Sequence, residues 1–277
     1  MQGPVAALSL VMGVAVAMAP TGTPRPARVP DVEHRPAVIA HRGGSALAPE
    51  NTLVAFRKAA ELGVDYVEID VRATRDGQLV LMHDRTVDRT TDGSGPVSEL
   101  DRSQIASLDA GSHLAAKCAG EKVPTLDQTL EACRGKLLVY LDHKDGPVDD
   151  IVAALDRHEM RDRVVVYGGL DDLREWKRAS PDIPVMLSPD DEHRSADGLR
   201  LILDELPVEV FDGGPQEWTA ELVDAAHELG SHIYVDNLGP LDTEEGYRRS
   251  IEMGVDGIQT DHPDTLLELL DELGGNG

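Results

Sequence analysis

The chain has 277 residues, 41% hydrophobic and 28% charged, which is enough apolar mass for one large core or two small ones and too much for a disordered chain. Its 26 Lys and Arg stand against 51 Asp and Glu, and the resulting formal charge of −25 excludes a general binder of nucleic acid or of anionic membrane. A phosphate-bearing ligand must therefore be held locally, by a cation or a few basic side chains.

Taken in chain order, residues 1–19 read as a secretory signal peptide: no charge, an apolar run from Val5 and a small-residue end at Ala17-Met18-Ala19. The run is shorter than the ~20 apolar residues of a membrane span, so the expectation is a secreted or cell-surface protein with no stable membrane insertion after cleavage. The missing basic n-region and Pro20 leave the cut site open. An uncleaved anchor and a misassigned start, which would leave the protein cytoplasmic, are the alternatives. Residues 20–35, rich in Pro, Thr and Arg, read as a linker, and residues 36–277 as the folded domain.

From residue 36 onward, β-type runs at 37–40, 66–71, 79–82, 137–141, 164–167, 185–187, 208–211, 233–235 and 257–260 alternate with helical patterns. The helical segments fall at 51–62, 125–132, 148–157, 171–178, 196–203, 220–229, 244–253 and 264–273. This alternation predicts a mainly parallel sheet wrapped by helices. Asp76-Gly77 is a two-residue hairpin signal that turns 79–82 antiparallel onto 66–71, with Arg75 paired to Gln78 and Asp70 facing His83. Eight parallel strands remain in roughly 240 residues, the size of a (β/α)8 TIM barrel. An antiparallel hairpin follows the second strand, and a small insertion precedes the third barrel strand. An open doubly wound sheet is the second choice.

The two cysteines, Cys118 and Cys133, are either a disulfide closing a loop of about 15 residues, worth ~3 kcal/mol by loop entropy, or two partly buried thiols.

Side chains alternate across a strand, so Val67, Ile69 and Val71 face the helices while Glu68 and Asp70 point together into the barrel. Two unpaired carboxylates there repel each other and lose hydration, and a cation is the simplest remedy. Asp142, at the end of the 137–141 run, supplies a third hard oxygen ligand, and Lys144, on the same face, either pairs with it or meets a phosphate. All-oxygen ligation points to one Mg²⁺ or Ca²⁺ and away from zinc. His41 closes the first strand before Arg42-Gly43-Gly44, where glycines allow close backbone approach, and Asn51 or Thr52 can cap the next helix. The ends of barrel strands are where active-site groups collect.

These residues belong to a wider set. His41-Arg42-Gly43, Pro49-Glu50-Asn51-Thr52, Glu68-Ile69-Asp70-Val71, His83-Asp84, Val123-Pro124-Thr125-Leu126 and Thr260-Asp261-His262-Pro263 follow one another along the chain. Together they resemble the glycerophosphodiester phosphodiesterases. The resemblance covers essentially everything after Arg35 and implies a TIM-barrel hydrolase that uses a divalent cation to cleave glycerophosphodiesters into glycerol 3-phosphate and an alcohol. It implies catalytic histidines at His41 and His83, metal ligands at Glu68 and Asp70, and phosphate contacts at Arg42 and Lys144. Glu50 is expected to brace the substrate side of the site. The chain departs from the family in carrying Asp142 where Glu is usual, Tyr234 at a late aromatic position commonly Trp, and Gly168-Gly169 after a strand where Ser-Phe is frequent.

Two rivals share the residues. One is a phospholipase D-like lipid phosphodiesterase on the same fold, with segment 84–124 as lid or wall. The other is a non-catalytic surface protein that captures phosphodiesters. With 3% aromatic residues and no basic patch, soluble deacylated substrates are favoured. Residue patterns leave the oligomeric state open.

Overall fold

The computed structural model describes residues 28–30, 32 and 35–274. The expected signal peptide and most of the linker lie outside them. Among the described residues no helix is long and apolar enough to cross a membrane.

Nine strands form one sheet: β1 (Ala37–Ala40), β2 (Tyr66–Ala73), β3 (Leu79–Leu81), β4 (Leu138–His143), β5 (Val164–Tyr167), β6 (Val185–Leu187), β7 (Val210–Gly213), β8 (His232–Asp236) and β9 (Gly257–Thr260). The order β1-β9-β8-β7-β6-β5-β4-β2, closed by parallel pairing of β1 with β2, makes an eight-stranded parallel barrel, and β3 pairs antiparallel with β2. The helices are α1 (Leu53–Leu62), α2 (Arg102–Ser107), α3 (Leu126–Cys133), α4 (Val148–Arg157), α5 (Leu170–Ala179), α6 (Ala196–Glu205), α7 (Ala220–Glu228), α8 (Glu244–Met253) and α9 (Pro263–Gly274).

Strand alternation divides the interior into two layers. Ala37, Ile39, Tyr66, Tyr140, Val165, Met186, Val210 and Tyr234 fill the barrel axis. Their sequence neighbours, among them Val38, Val67, Ile69, Val139, Leu141 and Val166, pack outward against Phe56, Leu130, Ile151, Trp176 and Leu266 of the helices. Helix starts follow hydroxyl caps. Thr52, Thr125, Ser195, Thr219 and Thr243 each accept a backbone N–H of the helix they precede. Thr52 also donates to Pro49 O at 2.6 Å and is fully buried. Thr52→Ala should cost about 1 kcal/mol, read as a lower urea midpoint at unchanged slope.

The hairpin register differs by one residue from the two-residue-turn reading. Thr74 N donates to Gln78 O, so the loop is Arg75-Asp76-Gly77, with Gly77 at φ +77°, a conformation glycine adopts without strain. Val71 faces Leu81, and Met82 N donates to Asp70 O, which puts Met82 and not His83 opposite Asp70. Thr74 is the cause: its hydroxyl accepts from Gln78 N and donates to Asp76, closing the longer turn.

After β3 the chain makes the expected insertion. A small core of Val80, Met82, Val87, Val97, Ile105, Ala110 and Val123 holds it beside the barrel. Its helical part is a 3-10 turn (Val97–Glu99) followed by α2. Cys118 and Cys133 are free thiols, not a disulfide. Cys133 sits in the helix-facing core on α3, where burial pushes its thiol up to about 12, while Cys118 lies partly exposed in the insertion.

Candidate active site

The C-terminal ends of the barrel strands surround a pocket of about 280 Å³ lined by His41, Arg42, Glu68, Asp70, His83, Asp142 and Lys144 together with groups from β7 to β9. Seven of the eight residues expected at the site thus share one cavity. The eighth, Glu50, stands behind Arg42.

Glu68 and Asp70 come from the inward face of β2, and parallel pairing sets Asp142 of β4 directly beside Asp70. Each of the three carboxylates offers an oxygen lying within 4.8 Å of the others. Glu68 is fully enclosed, and that burial, with repulsion from Asp70 and Asp142, holds its carboxyl well above the ordinary range. Burial also raises Asp142, although the Lys144 ammonium 2.5 Å from its Oδ2 works against the shift. Lys144 lies 3.2 Å from Asp70 Oδ1 as well, and the two carboxylates outweigh its own burial to raise its pKa. Asp70 Oδ1 nonetheless accepts no hydrogen bond. Three crowded carboxylates with one short of a donor fit a hard divalent cation bound through oxygen.

Backbone shape brings the groups together. Arg42, Gly43 and Gly44 all have positive φ, of 51°, 87° and 89°. A Cβ on Gly43 would lie 2.7 Å from the Ala55 Cβ on α1, so only glycine lets the loop pack there. The turn aims the Arg42 backbone N–H at Glu68 Oε2, 2.8 Å away, and sets its guanidinium against Glu50. Glu50 also receives two hydrogen bonds from Arg89 in the insertion, and these, with the Arg42 charge, hold its carboxyl low despite its burial.

Each histidine is oriented by a carboxylate. His41 Nδ1 lies 2.7 Å from Asp261 Oδ1, and His83 Nδ1 lies 2.7 Å from Asp84 Oδ1. A carboxylate only accepts, so Nδ1 carries the proton and Nε2 is left for the reacting atoms. Asp84 is anchored in turn by Arg89, whose hydrogen bonds hold the carboxyl well below its usual range. Asp261 also stays low despite its burial, because His41 and Ser45 both donate to it.

The sequence reading missed several supports. Asn51 is not the helix cap; its amide donates to Asp70 Oδ2 at 2.7 Å and its oxygen accepts from Asp70 N at 3.2 Å, tying both the carboxylate and the backbone of Asp70 to one side chain. Tyr234 does not reach the rim. It packs edge-on to Tyr66 inside the barrel, and Asp236, two residues on along the same face, lines the pocket instead. A second, larger cavity of about 750 Å³ opens alongside and shares Asp142, Lys144 and Tyr167 with the first; Gly168, Gly169, Leu170 and Leu187 help to line it.

A TIM barrel whose C-terminal rim joins a carboxylate trio, two carboxylate-oriented imidazoles and two cations has the equipment of a phosphate-ester hydrolase. Residues 41–265 match the glycerophosphoryl diester phosphodiesterase family. A glycerophosphodiester phosphodiesterase of Caldanaerobacter subterraneus is 36% identical over 246 residues, which cover 84% of this chain and 97% of that protein. The crystal structure of an Agrobacterium tumefaciens glycerophosphodiester phosphodiesterase superposes with a TM-score of 0.77 at 30% identity, over 84% of this chain and 99% of that one. An Oleispira antarctica phosphodiesterase in complex with the product sn-glycerol-3-phosphate superposes with a TM-score of 0.74 at 25% identity, over 86% and 97% of the two chains. The chain belongs to the glycerophosphoryl diester phosphodiesterase family and is a phosphoric diester hydrolase.

Proposed function

We propose that the protein hydrolyses glycerophosphodiesters to glycerol 3-phosphate and an alcohol, with Glu68, Asp70 and Asp142 holding one Mg²⁺ or Ca²⁺ and His41 and His83 moving the protons. The observation that carries this reading is the convergence of the three carboxylates, within 4.8 Å of one another, in one pocket with both histidines. A bound cation would withdraw charge from the phosphoryl oxygens as a Lewis acid. Arg42 clamps a phosphate oxygen through its planar fork and Lys144 through its point charge, which a diester would share with Asp70 and Asp142. One imidazole takes the proton of the attacking hydroxyl through Nε2 as that oxygen bonds to phosphorus, and the other, entering as the imidazolium, gives its Nε2 proton to the alkoxide as the phosphorus–oxygen bond to it breaks. Asp261 and Asp84 hold Nδ1 of the two rings and leave Nε2 for the reacting atoms, and Asn51 fixes Asp70 where it would ligate the cation. Glu50 acts as a positioning residue, tying Arg42 to Arg89 of the insertion.

Both histidines are in place and oriented, which favours an enzyme over a non-catalytic binder. The test is to incubate the purified protein with glycerophosphocholine and Mg²⁺ or Ca²⁺ and to assay glycerol 3-phosphate with and without a chelator. Release of glycerol 3-phosphate that stops with chelator and resumes on adding back the ion is the expected result. Release of phosphocholine, or turnover indifferent to chelation, would contradict the assignment.

A further inference from the structure

Five carboxylates line the catalytic pocket, and only three of them form the cluster on β2 and β4. The other two, Asp212 of β7 and Asp236 of β8, stand diametrically across the barrel from that cluster. Asp212 is 2% exposed; its Oδ2 accepts from Ser188 Oγ at 3.1 Å, while its Oδ1 has no partner among the described residues. Asp236 accepts from the Gln259 amide nitrogen, and the Gln259 amide oxygen, on a residue 4% exposed, is also without a partner. No lysine or arginine pairs with either carboxylate among the described residues. Tyr140 and Tyr167, their rings 6.0 Å apart and tilted by 56°, line the same pocket. Burial pushes Asp236 up to about 6 although the Gln259 amide and the His41 imidazole work against the shift, and burial together with repulsion from Asp236 raises Asp212 well above the carboxylate range.

We propose that Asp212, Asp236 and the Gln259 amide oxygen, flanked by Tyr140 and Tyr167, bind the primary ammonium of an aminoalcohol arm on the substrate, so that the enzyme prefers a glycerophosphodiester of the ethanolamine type. This rests on the hydrolytic reading of the preceding section and adds the identity of the second arm. Two buried acids call for positive charge, which a neutral alcohol does not bring. Two unpartnered oxygens call for N–H donors, which a trimethylammonium group lacks. The tyrosine faces suit a cation of either kind. A second metal ion is the weaker occupant, because Asp212 and Asp236 bring two carboxylates and no third His, Cys, Asp or Glu, whereas among the described residues only Glu68, Asp70 and Asp142 gather three such groups.

The test compares kcat/KM of the full chain for glycerophosphoethanolamine, glycerophosphocholine and glycerophosphoglycerol at one fixed divalent-ion concentration. The ethanolamine diester should exceed both others by about tenfold or more, the scale of a charged hydrogen bond. Asp212→Asn should lower the ethanolamine-to-glycerol ratio by a similar factor; Asp236→Asn is the second variant should the first fail to fold. Equal use of the three diesters, a ratio untouched by both variants, or a second divalent ion per chain that disappears in Asp212→Asn would each overturn the ammonium site while leaving the hydrolytic reading intact. Failure to cleave any of the three would overturn both.

Discussion

A His83→Ala variant is expected to fold as the wild type and to lose between about 10² and 10⁴ in kcat. That loss corresponds to roughly 3–5.5 kcal/mol of transition-state stabilisation. The fold should survive because the His83 side chain is 36% exposed and its one hydrogen-bond partner, Asp84, keeps two bonds from Arg89 without it. The rate should not survive because His41 is the one other imidazole lining the pocket among the described residues, and it is fixed by Asp261, just after β9. Circular dichroism and thermal melting separate the two effects. A melting point unchanged within a degree or two, with turnover nearly gone, is the expected pair of results; wild-type turnover would remove His83 from the reaction.

Asp70→Asn is the harsher change. Asp70 is 1% exposed and is held by Asn51 on one oxygen and faced by Lys144 on the other, so the amide keeps the shape while deleting one charge of the trio. It also replaces an acceptor with a donor pointed at either the Asn51 amide or the Lys144 ammonium. Removing a ligand from a three-carboxylate centre should lower kcat/KM by at least about 10³-fold, the several kcal/mol that a Lewis acid supplies. Raising the Mg²⁺ or Ca²⁺ concentration should recover only a small part of the loss. Full recovery at a higher ion concentration would mean that Asp70 tunes affinity alone, and undiminished activity would take it out of the centre.

Much of this site was legible because strand periodicity is simple. Once residues 66–71 are a strand, Glu68 and Asp70 share a face with Tyr66, and the barrel supplies only one inward direction for that face. Several helix starts were equally plain: the pattern placed them at 148, 196, 220 and 244, where the structure has them. Turn chemistry defeated the hairpin register, since the Thr74 hydroxyl closes a three-residue loop where Asp-Gly suggests two. Pairing across long separations was hidden as well. Asp261 reaches His41 from 220 positions away, and Asn51 meets Asp70 only because the loop after β1 folds over the end of β2. Asp212 and Asp236 carried a local signal, an acid at the inward end of a strand, identical in kind to the one that marked Asp70.

The most direct test of the three-carboxylate centre is a calorimetric titration of metal-free protein with Ca²⁺ or Mg²⁺, beside the same titration of Asp70→Asn. The prediction is one ion per wild-type chain and strongly weakened or absent binding in the variant. Wild-type protein that binds no divalent ion, or a variant that binds it equally well, would show that Glu68, Asp70 and Asp142 converge for some other reason.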